Sequence, residues 1–145
     1  MQRARGSSLF VNPTQLAMTV SSQLVGSSFD PSVFGPALWF VLHNAAASYP
    51  DFPDAEVRQG MKQLLQSLPL LIPCRACRLH FYDYLHQSNL VAVVSSKYNL
   101  FEFFVRVHNH VNVRTGKKEM SLQQAMALYG YDSPTGGVVS ISYVN

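Results

Sequence analysis

Asp54-Ala-Glu-Val57-Arg-Gln-Gly-Met61-Lys-Gln-Leu64-Leu65-Gln-Ser-Leu68 decides the architecture. Val57, Met61, Leu64, Leu65 and Leu68 recur three and four residues apart, the period of a helix that buries one side. Asp54 stands where an N-cap belongs, its carboxylate ready to accept from the unpaired N–H groups of the first turn. A helix with one apolar stripe needs other elements to cover it. The neighbouring sequence supplies more helices.

Toward the N-terminus, Phe34, Leu38, Val41, Leu42 and Ala45 predict a helix from Pro31 or Ser32 to Ser48. It halts near Tyr49-Pro50, because proline disfavours a helical residue before it. Toward the C-terminus, Pro69 and Pro73 break the chain ahead of a third helix from about Cys74 to Gln87. Asn99-x-x-Glu102 has capping-box spacing with Asn as cap and opens a fourth helix to about Arg114, with Gly116 as a natural stop. Ser121-x-x-Gln124 opens a short fifth helix ended by Gly130. The expected fold class is therefore all-α: an up-and-down four-helix bundle plus a short fifth helix. No alternating run is strong enough for a buried sheet, which disfavours a thioredoxin-like fold.

Three segments follow from this reading: an extension over residues 1–30, a folded domain over 31–130 and a tail over 131–145. The extension carries Arg3, Arg5, many serines and no acidic residue before Asp30. That composition is like a mitochondrial presequence, though a plain polar extension reads the same way. A helical piece from Thr14 to Val25 is expected within it. The tail, rich in Gly and Ser, is expected to be mobile or to add a strand. A length of 145 residues and 48% apolar content suit one domain with an ordinary core. No stretch of 18 apolar residues predicts a membrane span. The net charge of +3 comes from scattered basic residues, not the dense stripe of a nucleic-acid binder.

Only two cysteines occur, in Pro73-Cys74-Arg75-Ala76-Cys77. Thiolate is the attacking and leaving species in disulfide exchange. A helix N-terminus favours a thiolate on Cys74 through its unpaired N–H groups and partial positive charge. Arg75 and Arg78 add to that field. From the residues alone a second reading stays open: half of a zinc site, with two of His80, His108 and His110 completing Cys2His2. That spacing matches none of the familiar zinc patterns.

Two further features carry polar chemistry on helices. Trp39 and His43 lie four apart and share a face, a flat aromatic beside a hydrogen-bonding ring that suits a planar cofactor or a satisfied core pair. His108, Val111 and Asn112 share a face of the fourth helix, and polar groups on a core face need partners or a ligand. Arg114 and Lys117 follow, where a phosphate could be met; Lys118 reads better as a solvated helix end.

Together these motifs resemble the Erv/ALR family of FAD-linked sulfhydryl oxidases. The matching stretches are Gly35-Pro-Ala-Leu38-Trp39-Phe-Val-Leu-His43, Ala46-Ala47-Ser48-Tyr49-Pro50, Pro73-Cys74-Arg-Ala-Cys77 and His108-Asn109-His-Val111-Asn112-Val-Arg114-Thr-Gly-Lys117, over roughly Val33 to Tyr129. The resemblance implies FAD at the mouth of the bundle. Gly35, Leu38, Trp39, His43 and Tyr49 would contact it from the first helix and its end. His108, Asn109, Val111 and Asn112 would hold adenine and ribose, and Arg114 and Lys117 the phosphates. Cys77 would sit against the flavin, while Cys74 meets the incoming thiol. Electrons would pass from thiol-containing protein substrates through Cys74–Cys77 to FAD and then to oxygen, giving hydrogen peroxide.

Dimerisation is implied as well, and Phe40, Met61 and Leu65 are candidates for its face. The chain departs from the pattern in lacking a second, shuttle cysteine pair. That is like the minimal viral members, which implies the host cytoplasm and the virion over mitochondria. It also lacks the tryptophan expected on the last helix, where Tyr129 is the candidate replacement. A zinc-stabilised helical interaction module and a flavin- or thiol-binding protein without turnover are the competing functional readings.

Overall fold

The computed structural model describes residues 29–132, which leaves the expected Thr14–Val25 helix and most of the tail outside the described residues. Six α-helices and one 3-10 turn make up this part: α1 (Pro31–Ala47), α2 (Ala55–Ser67), the 3-10 turn (Leu68–Leu71), α3 (Arg75–His86), α4 (Leu90–Val93), α5 (Lys97–Arg114) and α6 (Leu122–Leu128). Among the described residues there is no strand. The all-α architecture is as expected, with a short α4 that the sequence reading did not contain. Four residues are too few to show a period.

Side-chain caps set the helix starts. The Asp54 carboxylate accepts from Val57 N–H at 2.9 Å and starts α2. Asp30 accepts from Ser32 N–H and Oγ–H, both at 2.8 Å, with Pro31 at the first helical position, where its missing N–H costs nothing. Ser121 and Gln124 form the reciprocal capping box expected for α6. One expected cap is wrong. The long helix α5 begins at Lys97, and Ser96 caps it by accepting from Asn99 N–H at 3.2 Å. The Asn99 amide donates instead to Ala92 O and Ser95 Oγ, and Glu102 pairs with Arg106.

The core lies around α5. Leu100, Phe101 and Val107 are fully buried there, together with Leu65 from α2 and His43 from α1. α1 packs along α5, while the 3-10 turn packs on both α2 and α3, which also touch each other. The loop after α1 is fastened to the start of α5. Lys97 N–H donates to Pro50 O at 3.0 Å, and Tyr49 Oη–H donates to Val94 O at 3.1 Å. Tyr131, placed in the tail by sequence, packs edge-on against Phe101 at 5.0 Å and takes Lys97 Nζ–H on its carbonyl. The folded unit extends that far. Burial also separates the candidates for a dimer face: Phe40 is exposed, but Leu65 is core and Met61 packs against it. The exposed apolar residues of these two helices are Val33, Phe40, Val41, Val57 and Leu64.

Candidate functional site

Helices α1, α3 and α5, with the end of α6, enclose a cavity of about 1050 Å³, at the upper end of the range for cofactor sites. Its walls carry most residues singled out from sequence: Gly35, Leu38 and Trp39 from α1, Cys77 from α3, His108, Val111, Asn112 and Arg114 from α5, and Lys117 beyond it. Gly35 is buried, yet a Cβ there would meet no protein atom within 4 Å, so it would project into open space.

Cys74 and Cys77 are joined in a disulfide with Cα atoms 5.2 Å apart. Cys74 is the N-cap of α3, and its sulfur accepts from Cys77 N–H at 3.2 Å. The sulfur that sequence reasoning made the entry point thus sits on the positive end of the helix. Cys77, one turn in, faces the cavity; Cys74 is not part of its wall. The turn before the disulfide is held by Arg78, whose guanidinium donates twice to Ile72 O, at 3.2 and 3.0 Å.

The polar end of the cavity is basic. Arg114 meets His80 side chain to side chain. Gly116, at φ 69°, turns the chain back so that Lys117 N–H donates to Asn112 O at 2.8 Å. That left-handed residue is what returns Lys117 to the cavity rim. Among the described residues the only acidic one in the wall is Asp30, and its carboxylate is occupied as a cap. The signs suit an anion.

Aromatic groups line the deeper part. Trp39 and His108 stack at 4.1 Å with planes 6° apart. Behind them, His43 is 1% exposed and its Nε2 lies 3.1 Å from His108 Nδ1. Burial pushes His43 down to about 4, helped by the neighbouring His108. Burial also lowers His108, with the Lys117 charge adding to it. Among the described residues, His43 Nδ1 is buried without a hydrogen-bond partner. Tyr129, the candidate for the missing tryptophan, stacks on His43 at 4.5 Å and reaches the cavity wall.

Three expected contacts lie elsewhere. His43 stands behind the cavity wall rather than in it. Tyr49 is core, bonded to Val94. The Asn109 amide clasps the backbone of Met120, donating to its carbonyl at 2.8 Å and accepting from its N–H at 2.9 Å. Conversely, His80, Tyr84 and His110 line the cavity and were not assigned to it from sequence. The three-residue step from Cys77 to His80 was the available signal. The zinc reading fails on geometry: among the described residues no three His, Cys, Asp or Glu side chains converge, and the two sulfurs are bonded to each other.

Among the described residues no helix is long and apolar enough to cross a membrane. Residues 36–129 match the Erv1/Alr family. The 096R protein of Invertebrate iridescent virus 3, provisionally classed as an FAD-linked sulfhydryl oxidase, is 42% identical over 102 residues, covering 70% of this chain and 69% of that one. The Frog virus 3 protein 088R, classed in the same provisional way, is 30% identical over 131 residues, covering 88% and 87%. Among solved structures, the FAD-binding domain of Erv1 from Saccharomyces cerevisiae superposes with a TM-score of 0.63 at 28% identity, covering 68% of this chain and 91% of that domain.

Proposed function

The chain belongs to the Erv1/Alr family, and from that premise we propose that it is an FAD-linked thiol oxidase that forms disulfides in protein substrates. The observation that carries this reading is the disulfide at the start of α3, with one sulfur at the cavity wall and the other outside it. The cavity suits FAD by volume and charge. Trp39 and His108 offer flat faces, Asn112 a hydrogen-bonding edge, and Arg114 and Lys117 cations for a diphosphate. Gly35, Leu38 and Val111 give apolar wall. His43 acts through His108, while Tyr49 and Asn109 hold the elements that carry the site.

The residues' work is disulfide exchange. A substrate thiolate attacks Cys74 Sγ, the Cys74–Cys77 bond breaks, and Cys77 leaves as a thiolate on the cavity side. A second substrate thiolate then attacks the substrate sulfur of the mixed disulfide and releases Cys74 as a thiolate, which the Cys77 N–H and the helix end stabilise. The substrate dithiol has by then lost two electrons, now held as the Cys74/Cys77 dithiol. When bound, FAD would supply the acceptor for that electron pair, with oxygen as the final oxidant and hydrogen peroxide as its product.

Similarity to iridescent- and frog-virus proteins supports a viral source, with disulfide formation in the host cytoplasm and in the virion. We assign homodimerisation to the exposed Phe40 and Val41 of α1 with Val57 and Leu64 of α2; a species that stays monomeric in sedimentation at micromolar concentration refutes it. The oxidase itself is tested by colour and turnover. Purified protein is expected to be yellow with about one FAD per chain, and dithiothreitol to drive oxygen uptake. Cys74→Ser or Cys77→Ser should stop turnover and keep the colour. Colourless folded protein that takes up no added FAD overturns the assignment.

A further inference from the structure

The segment leading into the disulfide is built oddly for a turn. Leu68, Pro69 and Ile72 are buried, yet Leu70 and Leu71 between them are 73% and 69% exposed. Prolines at 69 and 73 restrict this short run, and the double donation from Arg78 to Ile72 O ties it to the first turn of α3. The two leucines are therefore held outward beside Cys74. They are not loosely placed. Along α3, Arg75, Leu79 and Tyr82 follow at four- and three-residue spacing on the face turned away from Cys77 and Phe81, and all three are exposed. An apolar stripe thus starts beside half-buried Cys74, the sulfur that is not part of the cavity wall. Exposed apolar patches rimmed by charge mark contact sites.

Charge selects the occupant. From Leu68 to Tyr82 the chain has Arg75 and Arg78 and no carboxylate. Arg78 is committed to Ile72, while Arg75 has no salt-bridge partner among the described residues. Resting on the oxidase reading above, we propose that Leu70, Leu71 and Leu79, with Arg75, form the docking surface for the substrate, and that it selects cysteines flanked by an apolar side chain and an acidic one. Apolar contact holds the segment, the carboxylate meets Arg75, and the substrate sulfur is brought to Cys74. A small dithiol, too short to span this surface, gains nothing from it.

The test uses the flavin-loaded full chain and two reduced dicysteine peptides of equal length, one with Leu and Asp beside the cysteines and one with Ser and Lys. Oxygen uptake should give kcat/KM at least about tenfold higher for the Leu/Asp peptide. The double variant Leu70→Ser, Leu71→Ser should lose most of that preference while its yellow colour and dithiothreitol turnover stay at the wild-type level. Arg75→Glu should shift the ratio of the two peptides toward the lysine one. Equal rates with both peptides, or a preference that survives the double variant, overturn the proposal. A double variant that loses self-association in sedimentation also overturns it, by giving these leucines to a second copy of the chain. Absence of dithiothreitol turnover in the wild type would instead count against the oxidase reading itself.

Discussion

Replacing His43 with leucine should remove a defined part of the protein's sensitivity to acid. His43 is 1% exposed among Phe101, Tyr129 and His108, and its pKa falls from 6.5 to about 4, first because burial disfavours the cation and then because of His108. Below pH 6.5 the unfolded chain takes up a proton that the folded one refuses. Stability from this group is therefore fully present above pH 6.5 and is lost as the pH falls toward 4. With those two values, linkage gives a loss of about 2.5 kcal/mol between pH 7 and pH 4.5.

His43→Leu removes that dependence. At pH 7 it also breaks the contact with His108, a loss of about 1 kcal/mol, and deletes the buried Nδ1 that has no partner among the described residues. His108 keeps its own depression, since burial is its leading cause and Lys117 its second. The assay is urea unfolding followed by far-ultraviolet circular dichroism at pH 7 and 4.5, at equal saturating FAD for both proteins. Carboxylate contributions cancel when the two pH differences are subtracted. The variant should lose about 2.5 kcal/mol less than the wild type on acidification. An equal loss in both proteins would refute the claim that His43 is held neutral by its burial.

Two further outcomes test the site's surroundings. Tyr49→Phe should cost about 1–3 kcal/mol in urea unfolding, because Val94 O loses its buried donor, while FAD content per chain stays unchanged; FAD loss without destabilisation would return Tyr49 to the cofactor. Reducing Cys74–Cys77 without oxygen should lower stability by only about 2 kcal/mol, since the bond closes a loop of residues three apart, and helicity at 25 °C should be retained; unfolding on reduction would make the pair a structural staple.

The limits of reading this chain as a sequence follow from which forces act locally. The caps of α2 and α6 were legible because a cap and its N–H lie three residues apart. At the start of α5 the expected Asn99 cap gives way to Ser96, and the Asn99 amide is drawn instead to Ala92 and Ser95 on the preceding turn. Such competition cannot be seen in spacing alone. The same distinction sorts the site. Trp39, His108 and Asn112 could be placed by helical face, because each lies within a long helix whose core side is set by period. Tyr49 lies past the end of α1, where the period no longer applies, and the chain turns it toward Val94.

Asn109 and His43 show a subtler gap. Each lies in a helix with residues three or four away that do line the cavity, yet one holds Met120 and the other stands behind His108. Periodicity gives a direction around the helix, whereas the depth at which a neighbouring helix crosses decides whether a side chain reaches open space or protein. His80 and His110 are the reverse case: sequence offered them to a metal, and packing of α3 against α5 puts both in the cavity wall without a third ligand. What fixes a cofactor site in this fold is thus the crossing of α1, α3 and α5. Substitutions that alter those crossings, even far from Cys77, should disturb the cavity more than the loss of any single wall residue.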